Sequence, residues 1–147
     1  MADLDTFSVV LAAEGHLAVV ATTRRDGTPQ ASVVNAGILA HPVGDRPVVA
    51  FVVRGDTVKL ANLRRRPRAT VVARAGGRWV AVEGQAEMAG PDDALAGLPE
   101  GAVPGLLRAV FVAAGGTHED WDEYDRVMAA ERRAAVLVRP ERVYGTG

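Results

Sequence analysis

The chain has 147 residues, 48% of them hydrophobic and 24% charged, with a formal net charge of -1 and no cysteine; that length supports one closed core and excludes a disordered chain. Without cysteine there are no disulfides, thiol nucleophiles or thiolate metal sites, and the near-neutral charge argues against a general nucleic-acid binder, which needs a basic excess to release counterions. No run of about 20 uncharged apolar residues is present, so no membrane span is expected, and the acidic start Ala2-Asp3-Leu4-Asp5 is unlike a secretory leader, so a cytoplasmic location is expected.

The apolar half is mostly Ala and Val, with only 5% aromatic residues, so strands should dominate. Leu4 to Ala13 reads as a short amphipathic helix, with Leu4, Phe7, Val10 and Leu11 at helical spacing and Gly15 as a stop. His16 to Thr23 and Gln30 to Leu39 read as two strands joined by a turn carrying Asp26-Gly27. After a loop from His41 to Pro47 comes Val48 to Val53, apolar on both faces, which calls for a second covering surface and predicts a homodimer. A helix is expected from Gly55 to Arg65, with Val58, Ala61 and Asn62 on one face, closed by Pro67. Ala69 to Ala75 and Arg78 to Met88 form a hairpin through Gly76-Gly77. Pro91 to Gly116 reads as a short helix, a turn and a helix over Leu106 to Ala114. Thr117 is placed as the N-cap of a helix from His118 to Glu131 that buries Trp121, Tyr124 and Met128, and the chain ends in Ala134 to Val138 and Arg142 to Gly145. Six or seven short antiparallel strands in one domain, residues 1–147, close most economically into a small barrel.

The chemistry-bearing motifs are few. There is no Gly-x-Ser-x-Gly elbow, Walker loop or Gly-x-Gly-x-x-Gly turn, and His16, His41 and His118 are too scattered for a metal site, so no metal is expected. His118-Glu119-Asp120 reads as a helix start and Glu83 as a strand residue facing solvent or an arginine. With no acid-base pair to nominate, any reaction would be carried by a bound cofactor. The best anion site is Arg54 to Asn62, where a strand ends, Gly55 permits a corner, and a helix begins with free N–H groups. Lys59, the one lysine, and Asn62 lie three positions apart on it, while Thr57 offers a hydroxyl; the bland alternative makes Asp56 or Thr57 an N-cap and Lys59 a solvated side chain. The basic run Arg64-Arg65-Arg66-Pro67-Arg68 is either a solvated helix end or a holder of an acidic small-molecule tail.

The order of these motifs carries a resemblance. Thr22 to Gln30 (Thr-Thr-Arg-Arg-Asp-Gly-Thr-Pro-Gln), Lys59 to Ala69, and Glu83-Gly84-Gln85-Ala86 resemble the flavin/deazaflavin split β-barrel superfamily that includes pyridoxamine-phosphate oxidase. The ending, His118 to Tyr124 followed by Arg132-Arg133 and Val143-Tyr144-Gly145, is similar to the actinobacterial branch that uses coenzyme F-420. The resemblance implies a mainly β fold with flanking helices, an FMN-binding-type split β-barrel, assembled as a homodimer with cofactors in grooves at the interface. It implies an oxidoreductase using F-420 for hydride transfer to or from a flat, conjugated small molecule. An FMN-dependent oxidase or reductase, or a non-catalytic flavin- or haem-binding module, is the alternative. Carried over by position, Lys59 and Asn62 match phosphate-contacting residues, Gln30 and Ser32 the strand under the ring, and Val52, Arg54 and Thr57 the remaining groove. Relatives often carry arginine where Thr57 stands, which leaves the phosphate to Lys59 with Arg54 substituting.

Overall fold

A computed structural model describes residues 2–146. The elements run α1 (Leu4–Ala13), β1 (Leu17–Thr23), β2 (Pro29–Ala40), β3 (Pro47–Val53), α2 (Val58–Arg65), β4 (Arg68–Ala75), β5 (Arg78–Ala89), α3 (Val103–Ala113), α4 (Trp121–Ala130), β6 (Ala134–Val138) and β7 (Arg142–Gly145). The strands pair antiparallel in the order β4-β1-β2-β3-β6-β5-β7, and a β4–β5 pairing closes six of them into a barrel with β7 added outside β5.

Two long strands divide this barrel. β2 pairs with β1 through residues 29–35 and with β3 through 36–40; β5 pairs with β4 through 78–85 and with β6 through 86–89. One half-sheet therefore holds β1, β4, β7 and the first parts of β2 and β5, and the other holds β3, β6 and the second parts. Alternation along the strands sends Val20, Val34, Phe51, Val71, Val82 and Val136 into the barrel. α1 adds Phe7, Val10 and Leu11 to that core, held at its start by a capping box between Asp3 and Thr6, and α2 adds Leu60 and Leu63.

A second core lies outside the barrel. Val48, Ala50, Ala89, Ala135 and Leu137 point outward from β3, β5 and β6 and are buried under Leu106, Leu107 and Val110 of α3 and Tyr124 of α4. α3 lies directly on β2 because Gly37 has no side chain: a Cβ there would stand 2.3 Å from the carbonyl oxygen of Ala113. Both apolar faces of β3 are thus covered within one chain, and the second surface that its sequence demands is supplied by the chain's own helices. A homodimer has to rest on another surface.

Several boundaries differ from the sequence expectation for local reasons. α2 starts at Val58 because Thr57 is its N-cap, and its buried face is Leu60, Asn62 and Leu63 while Val58 is exposed. α4 starts at Trp121 because the Asp120 carboxylate, not Thr117, accepts the Glu123 N–H at 3.1 Å. The stretch from Pro91 to Ala102 holds turns and no helix, and α3 begins at Val103 with Pro104 in its first turn, where a missing N–H costs nothing.

Candidate functional site

The corner between β3 and α2 is built by close approach. The Gly55 N–H donates to the Glu131 carbonyl at 3.1 Å, and a Cβ on Gly55 would sit 2.8 Å from the Arg132 carbonyl oxygen, so only glycine allows the corner to dock on the end of α4. Arg132 takes a left-handed backbone there, with φ of 50°, and its guanidinium is held by Asp92. The Thr57 hydroxyl is spent on the helix: it donates to the Arg54 carbonyl at 3.0 Å and accepts from the Leu60 N–H at 3.4 Å. Capping at the third N–H leaves the N–H groups of Val58 and Lys59 without intrahelical acceptors, as in any first helical turn.

Beside this corner lies a cavity of about 450 Å³, in the size range of small-molecule sites. Val33 and Asn35 of β2 and Val52 of β3 form one side; Phe111 of α3 with Tyr124 and Met128 of α4 form the other. Arg54, Thr57, Lys59 and Arg133 close its polar end. Lys59 is half-buried, and burial first, then the charge of Arg133, pulls its pKa below the usual lysine value. Among the described residues no carboxylate pairs with Lys59, whereas Arg133 is bridged to Glu131 at 2.7 Å and Arg54 loosely to Asp56 at 3.5 Å. A lysine held next to a second cation at the start of a helix sets up a positive field that favours negative charge. Tyr124 points its hydroxyl away, donating to the Leu107 carbonyl at 3.1 Å; burial raises its pKa, so it remains a neutral phenol.

Of the residues assigned by position, Val52, Arg54, Thr57 and Lys59 meet at this cavity, and Gln30, Ser32 and Asn62 do not line it. Asn62 turns inward: its buried amide donates to the Thr22 hydroxyl at 3.1 Å and accepts from Arg65 at 2.9 Å, and Thr22 in turn donates to Gln30 at 3.4 Å. Ser32 lies opposite Val20, whose side chain faces the barrel core, and its Oγ is buried without a hydrogen-bond partner. The basic run is largely engaged by the chain itself, since Arg64 makes two bonds to Asp93 at 2.8 and 2.7 Å and Arg65 reaches Asn62 and the Thr23 carbonyl. Arg66, with Arg68, borders a separate groove on the β1–β4 side. Glu83 accepts from the Tyr144 hydroxyl at 2.9 Å and pairs with Arg142 at 3.4 Å.

Sequence spacing found Tyr124 and Met128 only as a buried helix face, and Arg133 only as part of the closing motif. The signal that joins Arg133 to Lys59 is the Gly55 corner, which packs against Glu131 and Arg132. None of His16, His41 and His118 lines the cavity. His16 bonds the Ala36 carbonyl, His41 lies 2.9 Å from Glu87, and His118 accepts the Asp120 N–H. Among the described residues no group of three or more metal-ligating side chains occurs. No helix among them is long and apolar enough to cross a membrane.

The sequence pattern described as pyridoxamine 5'-phosphate oxidase matches residues 9–147. Among solved structures, a pyridoxamine 5'-phosphate oxidase-related, FMN-binding protein from Nostoc punctiforme is similar at 11% identity and a TM-score of 0.63, over 95% of this chain and 81% of that one. An F-420 reductase is similar at 18% identity and a TM-score of 0.59, over 88% of this chain and 90% of its own. A haem-binding protein from Mycobacterium smegmatis is similar at 21% identity and a TM-score of 0.63; the alignment takes in 100% of this chain but 55% of that protein. At these identities the three structures share the fold.

Proposed function

Because the chain belongs to the pyridoxamine 5'-phosphate oxidase family, we propose that its cavity binds a phosphate-bearing flavin-type coenzyme, F-420 in the first instance, and that the protein is an oxidoreductase acting on a flat, conjugated small molecule. The observation that carries this reading is Lys59, half-buried beside Arg133, unpaired by any carboxylate of the described residues, and set on the first turn of α2 at the polar end of the cavity. Lys59, Arg54 and the leading N–H groups of α2 would hold the phosphate, and Thr57 keeps that turn capped. Val33, Val52, Phe111 and Met128 would face the ring system and keep water from it. The bound coenzyme supplies hydride chemistry; the chain supplies position and field. Asn62 acts indirectly in this scheme by holding Arg65 and Thr22, while Gln30, bonded by Thr22, and the buried Ser32 hydroxyl do not line the cavity and take no direct part.

The proposal includes a homodimer, seated on the bare half-sheet. There Val72, Val19 and Val33 stand in one cross-strand row, with Leu17, Trp79 and Tyr144 beside them, all wholly or partly exposed. Val33 also lines the cavity, so a second copy on this face would complete the cavity's open side.

FMN is the second reading, and the engagement of Arg64 and Arg65 by Asp93, Asn62 and Thr23 favours it, because fewer cations are left for an acidic tail. Equilibrium titration of the purified protein with F-420 and with FMN, at low and high salt, separates the two. F-420 is expected to bind more tightly and to weaken more as salt rises, because tail contacts at the exposed Arg66 and Arg25 are screened over about 8 Å at physiological ionic strength. FMN binding at least as tight as F-420 at low salt transfers the assignment to FMN, and no binding of either overturns the coenzyme reading.

A further inference from the structure

Behind the cavity, between the start of α3 and the end of α4, lies a second recess of about 210 Å³. Pro91, Val103, Pro104, Leu107, Met128 and Ala129 make its apolar walls, with Asp125 and Arg133 at the rim. Met128 and Arg133 line both spaces, so they form the partition between them. Methionine is unbranched and rotates through three bonds, which makes it a partition that can yield.

The two spaces differ in the charge they offer. In the cavity Lys59 lies beside Arg133 and pairs with no carboxylate of the described residues. In the recess both rim charges are committed: Asp125 takes two bonds from Arg108 at 2.9 and 2.6 Å, and Arg133 is held by Glu131 at 2.8 Å. An entering ion would find no unpaired counter-charge there and would lose its hydration, whereas an apolar group loses nothing polar. We propose that the recess is the substrate annex of the cavity, taking the uncharged, apolar end of a small substrate, a ring or branched alkyl group about the size of a substituted benzene, across Met128 from the coenzyme. A dry apolar space of about 150 Å³ is known to hold benzene, so the dimensions suit this occupant. The assignment rests on the cavity being the coenzyme site.

The test uses para-fluorotoluene as a neutral probe, followed by fluorine NMR, with the Met128 methyl resonance as a reporter on the protein. Binding is expected to be saturable, to shift the Met128 methyl, and to persist when the coenzyme is saturating. Ala129→Phe, at an exposed helix position, is expected to weaken the probe at least tenfold while coenzyme affinity is unchanged; Ala129→Leu gives a smaller loss if the larger ring disturbs α4. Failure to saturate, survival of binding in both variants, or displacement of the probe by coenzyme overturns the annex. Lys59→Ala separates the two readings: it is expected to weaken coenzyme and leave the probe untouched. If neither coenzyme binds the wild type, the annex falls with the coenzyme reading even where the probe is retained.

Discussion

Across the outer face of the barrel, β3, β6 and the far ends of β2 and β5 lie under α3 and α4, and Val48, Ala50, Ala89, Ala135 and Leu137 are at most 4% exposed. Across the same face of β1, β4 and the near ends of β2 and β5 no helix of the described residues returns, and Leu17, Val19 and Val33 remain 49%, 42% and 61% exposed. Both halves are written in the same Val and Ala alphabet, so strand sequence does not distinguish them. What separates them is whether a later segment folds back over the sheet. The cavity sits on the border, with Val33 from the bare half and Phe111, Tyr124 and Met128 from the cover. A site at such a border has one wall made by the chain and one side left for something else, which is how apolar surface on a sheet becomes a binding groove.

The largest effect should come from the covered half. Leu137→Ala removes a side chain that is 1% exposed and should cost about 2–5 kcal/mol in urea unfolding, while Val33→Ala, measured under conditions where the protein is monomeric, should stay within about 0.5 kcal/mol. Equal costs would erase the distinction between the halves.

Charge on the bare half tests its use. With Val19→Asp and Val33→Asp combined, sedimentation should change from dimer to monomer with the circular dichroism of the fold retained, because two desolvated carboxylates oppose burial of that row. A wild-type protein that sediments as a monomer at micromolar concentration would leave this face without its proposed partner.

At the border, Lys59→Ala should weaken coenzyme by about 1.5 to 3 kcal/mol, tenfold or more, the worth of a charge-assisted contact, with the unfolding midpoint little altered. Unchanged affinity in a fluorescence titration would remove the phosphate from this corner.

The smallest effect is in pH. Lys59 has a folded pKa below its unfolded one, so between the two values the folded empty protein binds fewer protons and gains stability as pH rises. Coenzyme phosphate reverses the penalty on the charged form. Affinity should therefore decline with rising pH from a point below the ordinary lysine range, and Lys59→Arg should abolish that decline; a flat profile for the wild type would show that the lysine charge is not used.

Much of the fold is legible from neighbours in the chain. The Asp26-Gly27 turn, the Gly76-Gly77 hairpin and the period-two strands follow from backbone preferences of a few adjacent residues, and Gly27 and Gly76 do adopt the positive φ that such turns require. The strand-to-helix corner at Gly55, with a lone lysine just inside the helix and Thr57 as its cap, is equally local. Asn62 shows where that reach ends. Its spacing from Lys59 put both on one helix, but the pairing of β1 beside α2 presents the Thr22 hydroxyl, and a buried amide goes where its hydrogen bonds can be satisfied. The cover on β3, the meeting of Arg133 with Lys59, and the partition at Met128 were decided only in three dimensions, because each joins segments far apart in the chain through backbone approach at Gly37 and Gly55. Local periodicity records that a face is apolar; the identity of what covers it is a property of how the chain closes.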